Sequence, residues 1–486
     1  MLAVSKHNWI SGTLDLSSKV RYGMTSRGVP IFRFIPYDKR FLPLAVGCSQ
    51  RDLFYNVHAI VEPIDTPKEG HQLQRANLVK NLGRPTNQTE QEVMLVAYAY
   101  DNTKENRAFP TYNIPNPCTR EVPFLDGLTF HIDPPGCKDV DDTFTIKKES
   151  PNTWSIAINI ADLTELVQEG CSLDIVASTR ATSFYTPNGE AIYPMLPKEV
   201  SEDRASLLPD QEKEQKPSLS LCFVYNTETR TITEPLWQRT LTRTTQSYTY
   251  DEANHCLPSS PELQTLEACA SSISNKTLAD SHEWVEKMMI FYNQKAGELL
   301  AKNRTGILRR HAESSTALIA HVGEALIPHF LFYESAEYCL ASSETTRHFG
   351  LSSEFYAYAS SPIRRYADLI NQRAITHILN GTTPTPLTQD LVDRLNRRQK
   401  QAKAFSRDLF FMTNLSGSSD SIQGIVISQN PEKTKTKIWV PKWKRQITSR
   451  SLIANPLQYG TEVQIQWYEA RDQARWKDRI VFKLDT

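Results

Sequence analysis

HIDPPGCKDVDD, His131–Asp142, is the stretch on which the reading of this chain turns. Asp133, Asp139, Asp141 and Asp142 fall within ten positions on a turn that carries two prolines and a glycine. The residues before it, 128–132, read as a strand, and 144–147 and 154–160 as a following strand pair. Four carboxylates this close repel, and in apolar surroundings they raise one another's pKa values. Such a group is tolerated if it is solvated or if a divalent cation neutralises it, and the residues alone leave both readings open. Oxygen-only ligands on a tight turn suit Mg²⁺, or Mn²⁺, rather than zinc. The spacing is not that of an EF-hand loop, which needs a central glycine and a terminal glutamate. Cys137 lies inside the turn, either as a small buried filler or as a ligand.

The second informative stretch is SSPIRRYAD, Ser360–Asp368. With Ser361 as N-cap and Pro362 at the favoured first position, it predicts a helix that buries Ile363, Tyr366, Ile370 and Ala374. Arg364 and Arg365 then fall in the first turn, where cations oppose the helix dipole. That arrangement makes sense if the guanidinium forks and free backbone amides hold an external anion such as a phosphodiester. The other reading pairs Arg364 or Arg365 with Asp368 or another carboxylate. A carboxylate-held metal that activates water, with arginines that neutralise phosphate, is a minimal kit for phosphodiester hydrolysis. No P-loop, GxGxxG, GxSxG or HExxH motif competes with it, so no dinucleotide cofactor is expected.

Around these motifs the chain divides into three. Residues 1–124 are proline-rich and strand-like, with runs at 31–35, 42–46, 54–61 and 93–100 that predict a small β-barrel, and polar stretches at 65–72 and 101–117 that read as a loop and a linker. Residues 125–415 are mixed α and β, with helices predicted over 281–302 and 389–414. Residues 420–486 return to strands, at 424–427, 437–440, 462–467 and 479–484. The 55 basic and 55 acidic residues of the whole chain cancel, so any nucleic-acid site must be local. Within 431–486, seven lysines and five arginines face six acidic residues, with Trp439, Trp443 and Trp467 interleaved. Lys442, Lys444 and Arg445, with Trp439 and Trp443, are therefore candidate RNA-binding residues, unless the rings form a small core beneath a solvated basic face.

The 486 residues, 40% of them apolar, hold no apolar run of the length that crosses a bilayer, and the first fourteen lack a secretory or transit pattern. Eight cysteines show no CxxC pair and no zinc spacing. An intracellular, cytoplasmic chain with reduced thiols and no membrane association is expected.

At its two motifs the sequence resembles the ribonuclease II family, whose catalytic domain is called RNB. Tyr193–Pro197 (YPMLP), Ser201-Glu202-Asp203, Val285–Met289 and His348–Leu351 (HFGL) extend the resemblance in order over about 125–374. Arg27–Phe32 and Pro36–Arg40 resemble the family's cold-shock-like OB domain, and Gly424-Ile425-Val426 with the basic tail its C-terminal OB domain. The resemblance implies an α+β chain, a mixed α/β RNB domain flanked by OB-type barrels. It implies Mg²⁺-dependent hydrolysis of single-stranded RNA from the 3′ end with release of nucleoside 5′-monophosphates. By position, Asp133, Asp139 and Asp142 would hold metal, Asp141 would serve the chemical step, and Arg364, with Arg365 beside it, would stabilise the scissile phosphate. Tyr185 matches an aromatic that stacks on the terminal base, and Glu286 a glutamate that contacts the terminal nucleotide. The alternative from another class is a noncatalytic RNA-binding protein on a degenerate RNB scaffold.

Overall fold

The computed structural model describes residues 8–64, 73–103, 108–115, 122–209, 214–313, 335–415, 421–430, 432, 434–450, 456–470 and 473–485. Two compact units emerge, one from the described residues of 8–108 and 401–485, the other from those of 109–313 and 335–400.

The first unit opens with strands β1 (Ile10–Asp15), β2 (Ile31–Pro36), β3 (Leu44–Gly47), β4 (Val57–Pro63) and β5 (Gln74–Gly83), closed into a barrel in the order β1-β2-β3-β5-β4. All neighbours run antiparallel except β3 and β5. Ile10, Phe32, Phe34, Val46, Ala59 and Val61 fill its interior. Gly12 is required where β1 meets β2, because a Cβ there would lie 2.2 Å from the Ile35 carbonyl oxygen. The strand predicted at 93–100 is instead helical: α1 (Asn87–Met94) runs into one π-helical turn, Leu95–Ala99. A capping box starts it, with Thr86 Oγ1 accepting from the Thr89 amide and Thr89 Oγ1 from the Thr86 amide. The run Leu95–Ala99 is apolar almost throughout, so alternation could not reveal its helical period; Val93, Met94, Val96, Ala97 and Ala99 are buried. The loop expected at 65–72 and much of the expected linker lie outside the described residues, and 108–115 has no regular structure.

In the second unit, β6 (Leu128–Ile132), β7 (Asp142–Ser150), β8 (Thr153–Ala161), β11 (Lys216–Asn226), β12 (Thr231–Ile232), β13 (Leu236–Thr242) and β14 (Gln246–Tyr248) form one sheet. Its order is β12-β11-β8-β7-β6-β14, with β13 also on β11, and β14 is parallel to β6. Two short hairpins stand apart, β9 (Phe184–Tyr185) with β10 (Ala191–Tyr193) and β15 (Ile307–Arg310) with β16 (Glu337–Leu340). The helices are α2 (Ser172–Arg180), α3 (Tyr250–Cys256), α4 (Pro261–Ser274), α5 (Ser281–Lys302), α6 (Tyr366–Leu379) and the start of α7 (Gln389–Leu415), whose residues from 401 on belong to the first unit. Helix α5 matches its predicted span; Asp280 caps it by accepting from the Glu283 amide at 3.1 Å. Its apolar stripe, including Trp284, Met288 and Tyr292, shares one core with Phe130, Phe144, Ile158 and Leu221 of the sheet. Gly297 lets α5 approach the chain at Tyr356, where a Cβ would lie 2.8 Å from backbone atoms. Gly297→Ala is expected to lower unfolding free energy by about 1–3 kcal/mol through overpacking, read as a lower denaturation midpoint at unchanged slope. Retained stability would show that backbone contact to be easily relieved.

Helix α6 begins four residues later than its sequence predicts. Residues 362–364 form turns and Arg365, with extended dihedrals (φ −135°, ψ 121°), stands at the N-cap. The chain is held extended there because Tyr366 N donates to Ala181 O at 2.9 Å and Ser183 N to Arg364 O at 3.0 Å. Tertiary pairing thus overrides the local Ser-Pro start signal. Ile363 is nonetheless buried, as are Tyr366, Ile370 and Ala374.

The first unit resumes with β17 (Ile422–Gln429), β18 (Thr436–Val440), β19 (Arg445–Ser449), β20 (Glu462–Glu469) and β21 (Ile480–Asp485), ordered β19-β18-β17-β20-β21. Ser449 Oγ donates to Phe482 O at 2.9 Å, so a side chain links the two edge strands. Of the two readings of its tryptophans, the small core holds for Trp439 and Trp467 in this OB-like sheet. Trp439 is 4% exposed and packs with Ile425 and Ile427, while Trp467 belongs to the other core. Trp443 is half-buried, edge-on to Trp467 at 5.4 Å. Lys442 and Lys444 are exposed, and the Arg445 guanidinium lies 4.2 Å over Phe410. Trp439→Ala is accordingly expected to cost about 3–5 kcal/mol of stability. A large loss of RNA affinity at unchanged melting temperature would contradict the core placement.

Candidate active site

β6 and β7 are antiparallel neighbours joined through the acidic turn, so Asp133 follows the end of one strand and Asp142 begins the other. The turn is shaped by Gly136 in the left-handed region (φ +79°) and by the Cys137 amide donating to Pro134 O. Fully buried Val140 anchors it, its amide donating to Ser206 Oγ and its carbonyl accepting from Leu207 N. The intervening turn leaves Asp139 and Asp141 beside the strand ends. Asp133, Asp139, Asp141 and Asp142 line one cavity of about 530 Å³, together with Tyr185, Tyr250 and Arg364. That volume is of the size that holds a small ligand.

Asp141 joins the two sequence motifs across more than two hundred residues. It is 4% exposed; Oδ1 accepts from the Ile363 amide at 2.9 Å and Oδ2 from Arg364 Nε at 3.1 Å. Arg364 Nη2 donates to Ser361 Oγ at 3.1 Å, and its side chain is 45% exposed, so part of the guanidinium reaches the open cavity. Burial pushes the Asp141 carboxyl up to about 7 against the lowering pull of Arg364 and the Ile363 amide. Burial, then Asp133 and Asp141, raises Asp142 well above the usual carboxylate range. Tyr185 donates its hydroxyl to Asp139 Oδ2 at 2.6 Å; burial and then that carboxylate hold the phenol protonated.

Arg365 and Glu286 are not brought to the cavity. Arg365 Nη2 donates to Asp368 Oδ1 at 2.7 Å, and its guanidinium lies 4.0 Å over Tyr358. Asp368, fully buried, also accepts from the Ser361 amide, so this pair braces the turn that presents Arg364. The Glu286 side chain is 60% exposed on α5, 3.7 Å from Lys287 Nζ. Cys137 lines the cavity with its thiol pushed up by burial and then by Asp133.

The sequence reading missed Tyr250. It is the first residue of α3, inside the capping box of Thr249 and Glu252, stacks on His282 with ring centroids 3.7 Å apart, and lines the cavity. Burial and then Asp133 and Asp142 push its phenol up to about 12. Its signal was an aromatic next to a helix start, which by itself says nothing about what it faces.

The donor set suits a hard dication: oxygen ligands only, two carboxyls whose raised pKa values a bound cation would relieve, and no hydrogen bond to the Asp142 side chain among the described residues. In this arrangement no three Asp, Glu, His or Cys side chains among the described residues converge as ligands. Asp133, Asp139 and Asp141 are each held instead by His131, Tyr185 and Arg364.

Residues 122–279 and 259–381 match the RNB domain, together more than half of the chain. The chain belongs to the RNB domain family. This RNB chain is 24% identical over 501 residues to the Exosome complex exonuclease RRP44 homolog A of Arabidopsis thaliana, covering 84% of this chain and 53% of that relative. It is 24% identical over 360 residues to Ribonuclease R 1 of Lactococcus lactis, covering 58% of this chain and 43% of that relative. The chain spans about half the length of the curated relatives it matches. In fold, the RNB chain resembles the apo form of Mycoplasma genitalium RNase R, with TM-score 0.71 and 14% identity over 99% of this chain and 90% of that one. It also resembles yeast Ssd1, described as a pseudonuclease, with TM-score 0.72 and 16% identity over 96% of this chain and 69% of that one. No helix among the described residues is long and apolar enough to cross a membrane.

Proposed function

We propose that this protein is a metal-dependent hydrolytic exoribonuclease that shortens single-stranded RNA from its 3′ end and releases nucleoside 5′-monophosphates. The observation that carries the reading is the Asp141–Arg364 pair at the wall of the four-aspartate cavity. Asp133, Asp139 and Asp142 would hold the ion, which in family chemistry is Mg²⁺ or Mn²⁺. When bound, it activates water and neutralises charge on the phosphate.

The other roles belong to the chain itself. Asp141 fixes Arg364 through Nε and leaves Nη1 without a partner among the described residues, available to a phosphate oxygen. A guanidinium held this way meets the charge that develops on the phosphate at no reorganisation cost. Tyr185 and Tyr250 supply rings at the cavity wall, and stacking is indifferent to base identity, as a general degrader needs. The exposed Lys442 and Lys444 give the second strand-rich segment a basic turn suited to phosphates.

A noncatalytic RNA-binding role is the second reading, favoured by the lack of converged ligands among the described residues. Incubating 5′-labelled single-stranded RNA with the protein and Mg²⁺, with and without chelator, separates the two. A ladder shortening from the 3′ end with 5′-monophosphate release, abolished by chelation, supports the hydrolase. RNA that is bound but intact supports the scaffold.

A further inference from the structure

We infer that His131 is a positioning residue for Asp133, fixing which carboxylate oxygen is offered to the cavity. The inference rests on the reading of the aspartate turn as a metal site. His131 lies in β6 two positions before Asp133, and residues two apart on an extended chain share a face. The imidazole is 5% exposed, with Nδ1 2.8 Å from Asp133 Oδ2 and Nε2 2.8 Å from Ser247 Oγ.

Both ends of this relay come from one short strand pairing. β14 lies parallel to β6 with Ser247 opposite His131, and the carbonyl of its neighbour Tyr248 accepts from the Asp133 amide at 3.1 Å. β14 therefore holds the backbone of Asp133 and also the ring that holds its side chain. A carboxylate only accepts, so Nδ1 carries a proton and donates it, and Nε2 meets the Ser247 hydroxyl, which can either accept or donate. The two contacts together fix the rotation of the ring. Oδ2 is committed to His131, while Oδ1 has no hydrogen bond among the described residues and is the atom left for a cation. Such outer partners of a ligand carboxylate are the groups whose loss weakens metal binding although they never touch the metal. Without the imidazole, the carboxylate rotates freely and the cost of fixing it falls on ion binding.

The test is calorimetric titration of the full chain with Mn²⁺ alone, alongside its melting temperature, for wild type, His131→Asn, His131→Gln and Ser247→Ala. Asparagine carries its amide close to the place of Nδ1 and keeps the donor to Asp133; glutamine carries it close to the place of Nε2 and keeps only the contact to Ser247. The asparagine variant is expected within about threefold of wild-type affinity and the glutamine variant about 10–100-fold weaker, both with wild-type melting. Equal affinities for the two, or the reverse order, overturn the inference. If the glutamine variant does not fold, Ser247→Ala decides, since it removes only an exposed hydroxyl: weakened Mn²⁺ binding supports the relay and wild-type binding overturns it. A wild type that takes up no Mn²⁺ removes the metal-site reading and this inference with it. Wild-type binding with an indifferent glutamine variant removes the positioning role alone.

Discussion

Asp141→Asn is expected to slow RNA shortening by about 10²–10⁴-fold with the fold intact. The two carboxylate oxygens have different partners, and asparagine can replace only one. Its carbonyl still accepts from the Ile363 amide, but its NH₂ then faces Arg364 Nε, donor against donor, where Oδ2 accepted at 3.1 Å. Arg364 loses the anchor that aims it at the cavity, and the site loses the charge that balances it. Single-turnover decay of 5′-labelled RNA measures the rate, and circular dichroism the fold. An Asn variant that cuts at the wild-type rate would remove Asp141 from the chemistry. Unchanged RNA affinity beside lost cleavage is the pattern expected of a group acting on the reacting phosphate.

The adjacent arginines are expected to fail in opposite ways. Arg365→Ala leaves fully buried Asp368 without its cation, and removing one partner of such a pair costs about 3–5 kcal/mol. In a unit of this size that is a fall in melting temperature of roughly 10 °C. Arg364, 45% exposed and held at the cavity, is expected to cost less stability than Arg365 when changed to Ala, because Asp141 keeps the Ile363 amide, while losing about 10²–10³-fold in rate. Thermal denaturation and single-turnover rates on the two variants, each corrected for folded fraction, make the comparison. An Arg365→Ala protein of normal stability and lost activity would place Arg365 in the chemistry and its pairing with Asp368 among the incidental contacts.

Much of this protein is legible in one dimension. The strand over 128–132, the helix over 281–302 and the acidic turn stand where residue pattern places them, because each depends on contacts within a few positions: an Asp280 cap, an i/i+3/i+4 stripe, a Gly136 turn. The failures share one physical cause. The Val93–Tyr100 run is apolar almost throughout, so it carries no period, and helix or strand was decided by what it packs against. Ser361-Pro362 is a sound local start signal, yet α6 starts at Tyr366 because residues near 181–183 pair with Arg364 and Tyr366. Trp439 among basic residues left base platform and core both open, and the inner face of its strand decides for the core.

Residue types and spacings alone were enough to show an acidic turn and an arginine motif, and the resemblance carried by those motifs pointed to the family. Which arginine lines the cavity, which aspartate pairs with it, that Tyr250 lines it too and that His131 meets Asp133 all depend on packing in three dimensions. The reason is distance along the chain: Asp141 and Arg364 lie more than two hundred positions apart, and Thr182 and Arg365, like His131 and Ser247, more than a hundred. Contacts that long exist only once the sheet and helices have packed, and no local rule ranks one arginine above its neighbour.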